Sequence, residues 1–320
     1  MTTDELDEGV RRFVTEVTKA YAERRSEGPW SATAARQTAE AVREPWRAGG
    51  PAMHETTELL VPTPHGDVRV RLYRPTSAPA VPALIYMHGG GFTLFSIDTH
   101  DRLMREYAAR TGMAVIGVDY ALAPEARFPV ALEQVVAVAR WAAANAAVLG
   151  VDANRLAAGG DSAGANLALS AALLLRDAGE PRLLKALLLI YGGYGGGVSD
   201  EMEARYGGGR YMLNRDEARV FWSNYLADPA LATDPLAAPF HAQLWGLPSC
   251  FMVIAEYDIN AEQNVGMAGR LREAGVKVQA EIYKGATHSF LEAVSISAVA
   301  NRAIEESSAW LRQNMGAGSE

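Results

Sequence analysis

One cysteine, Cys250, stands in a chain of 320 residues. No internal disulfide can form, and a sulfur-ligated metal or cluster lacks its ligands. Histidine is nearly as sparse, with six copies. None falls in a His-Glu-x-x-His or comparable spacing, so no metal is expected. Basic charge is also short: 30 Lys and Arg face 38 Asp and Glu, a formal net charge of −8. No Lys/Arg-rich run offers a local exception, so nucleic acid and anionic lipid are not expected partners. Long apolar runs are missing too. The richest, "LLKALLLIYGG", is too short to span a bilayer and ends in glycine, so stable membrane association is not expected. The N-terminal "MTTDELDEGVRR" has no apolar h-region, so a secretory leader is not expected and a cytoplasmic location is. No Gly-x-Gly-x-x-Gly occurs, and no Gly-Lys-Ser/Thr follows the glycine clusters, so both nucleotide motifs fail and no cofactor is expected.

What remains is the pattern of an α/β protein large enough to bury a sizeable core. Leu6, Val10, Phe13, Val14, Val17 and Tyr21 form an amphipathic helical stripe, broken at Gly28-Pro29. A second helix is predicted from Ser31, as N-cap, to about Arg43. The segment "HETTELLVPTPHGDVRVRLYRP" alternates around His65-Gly66-Asp67 and reads as a hairpin. Apolar strands then alternate with helical stretches, which predicts a mostly parallel sheet covered on both faces. Residues from about Gly192 to Leu247 interrupt that rhythm with two glycine clusters and the helical piece "NRDEARVFWSNYLAD". Such an insertion between sheet strands often forms a lid or pocket wall.

The chemistry centres on Gly160-Asp161-Ser162-Ala163-Gly164. A strand, Gly-x-Ser-x-Gly and a helix, in that order, form a turn that lifts a serine hydroxyl above the sheet edge. The helix N-terminus behind it favours developing negative charge. A serine nucleophile needs a base, and the base an orienting carboxylate, in chain order Ser, Asp/Glu, His. Two histidines follow Ser162. His241 lies in the insertion, and His288 ends the strand "VQAEIYKGAT" at the edge where Ser162 emerges, so His288 is the candidate base. Asp258 ends the strand before it and is the candidate acid, with Glu256 as the alternative. In "MHGGGF" the glycines allow backbone N–H groups to approach an oxyanion. Gly90 and Gly91 are the candidate donors, joined by the N–H of Ala163. His88 reads as a brace for that loop. Phe95, Tyr191 and Tyr194 are candidate substrate-binding residues. Tyr211, Trp222 and Tyr225 are read either as pocket wall or as cap core.

Six segments together resemble the hormone-sensitive-lipase-like (family IV) carboxylesterases of the α/β-hydrolase fold. They are "HGGGF", "SIDTHD", "DYALAPEARFP", "GVDANRLAAGGDSAGANLA", the Asp258 segment and "GATHSF", spanning about 80–190 and 245–292. The resemblance implies Ser162, Asp258 and His288 as triad, and Gly90, Gly91 and Ala163 as oxyanion hole. It implies Tyr120 and Glu125 as scaffold. It also implies a helical cap from residues 1–50 and 192–246 over a hydrolase core of 51–191 and 247–320. Dimers are common in the family, and no interface is legible here. The chain departs from the family pattern at four places. Asp258-Ile259-Asn260 replaces Asp-Pro-Leu, and His288-Ser289-Phe290 replaces His-Gly-Phe. Phe95 stands where glycine is usual, and glycines follow "ALLLIY" where proline is usual. The expected activity is hydrolysis of short-chain acyl esters, with a small-molecule ester as partner. Amide deacetylation or lactone hydrolysis by the same triad is the alternative. A non-catalytic ligand-binding protein on the same fold is the reading of another class.

Overall fold

The computed structural model describes residues 6–24 and 31–316. The expected break at Gly28-Pro29 and the first five residues lie outside them. Eight strands form one sheet: β1 (Glu55–Val61), β2 (Val68–Arg74), β3 (Val81–Met87), β4 (Ala114–Val118), β5 (Val151–Asp161), β6 (Leu184–Ile190), β7 (Ser249–Tyr257) and β8 (Val278–Thr287). Their spatial order is β1-β2-β4-β3-β5-β6-β7-β8. β2 pairs antiparallel with both β1 and β4, and every later pairing is parallel. The hairpin turn falls at Gly66, whose φ is +92°.

Strand alternation divides the core in two. From β3, Ile85 and Met87 join the face packed by the helices Val130–Ala144, Ala163–Asp177 and Ala261–Glu273. Leu84 and Tyr86 join the other face, with the helices Glu8–Glu23, Asp101–Thr111 and Ala298–Met315. Burial on both faces is why the central strands read as continuous Val, Leu and Ile runs.

The second helix runs over Ala32–Arg47, past the expected end near Arg43 and through Pro45. Proline in the last turn removes one N–H there, and the helix continues because Trp46 packs edge-on against Phe13 at 4.7 Å. Ser31 caps its start, accepting from the Ala34 N–H. Residues 192–246 hold the helices Asp200–Tyr206 and Arg215–Tyr225; the first was not foreseen.

The sheet order reverses around β3, which has β4 on one side and β5 on the other. Such a switch point leaves a crevice at the carboxyl ends of the strands. The β3–β5 register pairs Met87 with Gly160, so the loop after β3 meets the turn after β5. β7 and β8 end at the same edge, Tyr257 opposite Thr287. Topology alone therefore gathers residues 88–92, 162, 258 and 288.

Candidate active site

Ser162 joins β5 to the Ala163–Asp177 helix with φ 53° and ψ −113°, a conformation L-residues rarely adopt. The turn is as tight as the flanking glycine permits: a Cβ on Gly164 would lie 1.9 Å from the Met87 carbonyl oxygen. Ser162 Oγ lies 2.9 Å from His288 Nε2, and His288 Nδ1 lies 2.7 Å from Asp258 Oδ2. The other oxygen of Asp258 accepts from the Asn260 N–H at 2.9 Å. With Nδ1 donating to the carboxylate, Nε2 is left to accept the serine proton. Burial lowers the proton affinity of His288. The charge and hydrogen bond of Asp258 raise it by more, so the ring titrates above the ordinary histidine value.

Glu256, the alternative acid, accepts from the Gly285 N–H at 2.9 Å instead. His241 is exposed on a short 3₁₀ turn, Pro239–His241. His88 is buried and stacked on Tyr120 at 4.4 Å, with Nδ1 donating to the Gly89 carbonyl. Burial above all pushes its pKa down to about 4, so it braces the loop as a neutral ring. Tyr120 donates to the His88 carbonyl, and Glu125 pairs with Arg36.

Gly90, Gly91 and Ala163 line the same cavity as Ser162 and His288. Among the described residues, no acceptor receives their three N–H groups. Gly90 has φ +107°, and its carbonyl accepts from both Thr93 and Leu94. Below the loop, the Gly89 N–H and the Tyr86 hydroxyl both donate to Asp161 Oδ1, at 3.1 and 2.9 Å. The carboxylate beside the serine thus ties the two halves of the site together.

The cavity measures about 220 Å³. Its wall is mainly apolar, from Phe92, Leu94, Phe95, Met212, Phe221 and Trp222, with Tyr21, Arg43, Glu217 and Asn260 as polar members. Residues from the C-terminal halves of both described N-terminal helices, Tyr21 and Arg43, and from the 192–246 segment therefore wall the cavity at the serine. Phe221 reaches the glycine loop: a Cβ on Gly91 would lie 2.2 Å from its ring.

Of the three candidate substrate-binding residues, only Phe95 lines this cavity. Tyr191 and Tyr194 are buried and absent from its wall. The glycines after β6 are the cause: the Tyr194 ring folds back to within 2.3 Å of where a Gly192 Cβ would be. Tyr191 instead backs the His288 ring at 5.0 Å. Trp222 lines the cavity, Tyr225 stacks on Phe92 at 3.7 Å in the core, and Tyr211 packs against Tyr206. Asn260, one of the departures, accepts from Gln263, which in turn holds the Tyr194 N–H. Sequence reasoning missed Tyr21, Arg43, Met212, Glu217 and Phe221. Arg43 carried a signal, since it shares a helix stripe with the buried Ala39 and Val42. Among the described residues no group of three or more His, Cys, Asp or Glu is placed to hold a metal. No helix there is long and apolar enough to cross a membrane.

A strained serine, a buried His–Asp relay and free backbone donors at a parallel-sheet switch point define an α/β-hydrolase. Residues 84–292 match the family description "alpha/beta hydrolase fold". The chain belongs to that family, in its hormone-sensitive-lipase-like carboxylesterase branch of serine hydrolases. An acetyl esterase of Salmonella choleraesuis is 36% identical over 276 residues, covering 84% of this chain and 83% of the relative. Among solved structures, a hyperthermophilic esterase from the archaeon Pyrobaculum calidifontis superposes with a TM-score of 0.90 at 32% identity, covering 97% and 98% of the two chains. A thermostable carboxylesterase from a metagenomic library gives 0.86 at 33% identity, covering 89% and 98%.

Proposed function

We propose that the chain hydrolyses short-chain acyl esters through an acyl-enzyme on Ser162. The observation that carries the reading is the continuous relay from Ser162 Oγ to His288 to Asp258, at 2.9 and 2.7 Å. Ser162 Oγ attacks the ester carbonyl while His288 Nε2 takes its proton. The tetrahedral oxyanion is held by the N–H groups of Gly90, Gly91 and Ala163. His288 then returns the proton to the leaving alkoxide oxygen, the C–O bond breaks and the alcohol departs. Water, deprotonated by the same nitrogen, attacks the acyl-enzyme; the acyl–Oγ bond breaks, His288 returns the proton to Ser162 Oγ and the acid departs. Asp258 keeps the imidazole in the tautomer that can accept at Nε2. The described parts of residues 1–50, together with 192–246, act as the cap, bounding the cavity and limiting acyl length. The enzyme works on dissolved esters in the cytoplasm.

Hydrolysis of p-nitrophenyl acetate, butyrate, octanoate and laurate tests this. The wild type should cleave acetate and butyrate far faster than laurate. Ser162→Ala should lower kcat by roughly 10⁴–10⁶-fold and lose labelling by a fluorophosphonate. Labelling retained in that variant overturns the nucleophile assignment.

A further inference from the structure

Arg43 is the cation in an otherwise largely apolar catalytic cavity. It sits on the Ala32–Arg47 helix, 2% exposed, and lines the cavity beside Tyr21 and Phe95. Its guanidinium carbon lies 4.9 Å from the Phe95 ring centre and 6.0 Å from that of Tyr21. The Phe95 ring in turn lies 2.8 Å from where a Gly90 Cβ would stand. One phenyl ring thus separates the guanidinium from the oxyanion loop.

Glu292 approaches Arg43 Nε to 2.5 Å, and both side chains are buried. A guanidinium carries five N–H donors, and one carboxylate meets at most two of them. Among the described residues Arg43 Nε and Nη1 are fully buried with no acceptor in hydrogen-bonding geometry, Glu292 meeting the guanidinium as an ion pair, and Nη2 is the nitrogen left to face the cavity, with no acceptor there. An unpaired donor on a largely buried guanidinium is costly, so an oxygen atom brought into the cavity gains by meeting Nη2. That oxygen is better uncharged. Glu292 already neutralises the guanidinium, and a carboxylate would also face Glu217 on the cavity wall.

We propose that Arg43 is a specificity-determining residue that reads an uncharged oxygen acceptor (ether, carbonyl or hydroxyl) carried by the substrate beyond its scissile ester. The inference rests on the esterase reading above. Its natural substrates are then oxygenated small esters rather than plain alkyl ones.

Two matched pairs, each replacing one methylene by oxygen, test it on the whole enzyme. In the acyl series these are p-nitrophenyl 3-methoxypropanoate and p-nitrophenyl pentanoate. In the alcohol series they are 2-methoxyethyl butanoate and butyl butanoate. In one series the wild type should show a KM about tenfold lower for the methoxy ester, the worth of one hydrogen bond to a charged group. The preference should vanish in Arg43→Met/Glu292→Met, which removes both charges together, and survive in part in Arg43→Lys. A wall acting only by apolar contact gives the reverse, favouring the alkyl ester by about fourfold or more in both series. That result overturns the proposal, as does a preference unchanged in the folded double variant. Mono-p-nitrophenyl succinate binding more tightly than the methoxypropanoate overturns the choice of an uncharged oxygen. The wild-type comparison decides even if no variant folds. A wild type that cleaves no ester sinks the esterase reading and this inference with it. Cleavage with alkyl preference sinks this inference alone.

Discussion

Ser162 holds a backbone conformation that costs on the order of 1–3 kcal/mol in isolation. Its surroundings over-determine it. The Ser162 N–H donates to Ile190 O at 2.8 Å, and its carbonyl accepts from Asn166 and Gly193 at 3.3 and 3.4 Å. Phe95 is another of the non-glycine residues at positive φ, +69°, and its ring gains contacts with Arg43 and His100 in return. His288 makes the sharpest residue-scale prediction. The proposed mechanism needs the neutral ring, and Asp258 raises its pKa against the lowering by burial. Activity is therefore present at alkaline pH and lost as pH falls through a midpoint above the ordinary value of about 6.5. A pH profile of kcat/KM should show this single acid limb. Asp258→Asn should move the limb to lower pH, along with a large loss of rate. An unmoved limb would assign the titration to another group.

At the scale of elements, the link between the Ala32–Arg47 helix and the catalytic loop runs through Arg36. Its Nε donates to Thr93 O at 2.8 Å and its Nη2 to Ala123 O at 2.7 Å, while Glu125 pairs with the same guanidinium. The first bond ties the helix to the turn that follows Gly90 and Gly91, and the second to Ala123, whose N–H donates back to Phe92 O at 2.8 Å. Arg36→Met removes both, at about 0.5–1.5 kcal/mol net each. The Thr93 and Leu94 amides, which close the turn on Gly90 O, should then exchange with deuterium faster, with a small drop in melting temperature. Unchanged protection there would mean that the helix does not steady the loop. Most elements were legible because each carries its own local period and stop. The hairpin at Gly66 and the elbow at Ser162 needed no long-range information. The second helix outran its expected end because Trp46, one turn later, found Phe13 on another helix. The helix Asp200–Tyr206 was missed, since its short sequence between two glycine clusters has no room for a periodic stripe.

At the scale of the whole molecule, stability rests chiefly on the two large core clusters that the sheet separates among the described residues. Phe251, on β7, is fully buried and meets Trp310 of the C-terminal helix at 5.9 Å. Phe251→Ala should cost about 3–5 kcal/mol through lost burial and the cavity left behind. Urea unfolding should show a lower midpoint with an unchanged slope, since the surface exposed on unfolding stays nearly the same. A midpoint that does not move would mean that the site collapses to fill itself. The sequence by itself determined the strand–helix alternation, the two-faced sheet, the elbow and the chain order of Ser162, Asp258 and His288 at the strand ends. Those features are written in short-range periodicity, and in the rule that parallel strands end at a shared edge. Only the tertiary structure shows which of the two carboxylates meets the His288 ring: Asp258 does, and Glu256 is taken up by the Gly285 amide. It alone also decided which side chains wall the cavity. Tyr21, Arg43 and Phe221 come from helices far apart in the chain, and Tyr191 and Tyr194 turn inward on the glycines beside them. Which face of a docked helix looks onto Ser162 is fixed by packing between distant segments, and no local pattern encodes that.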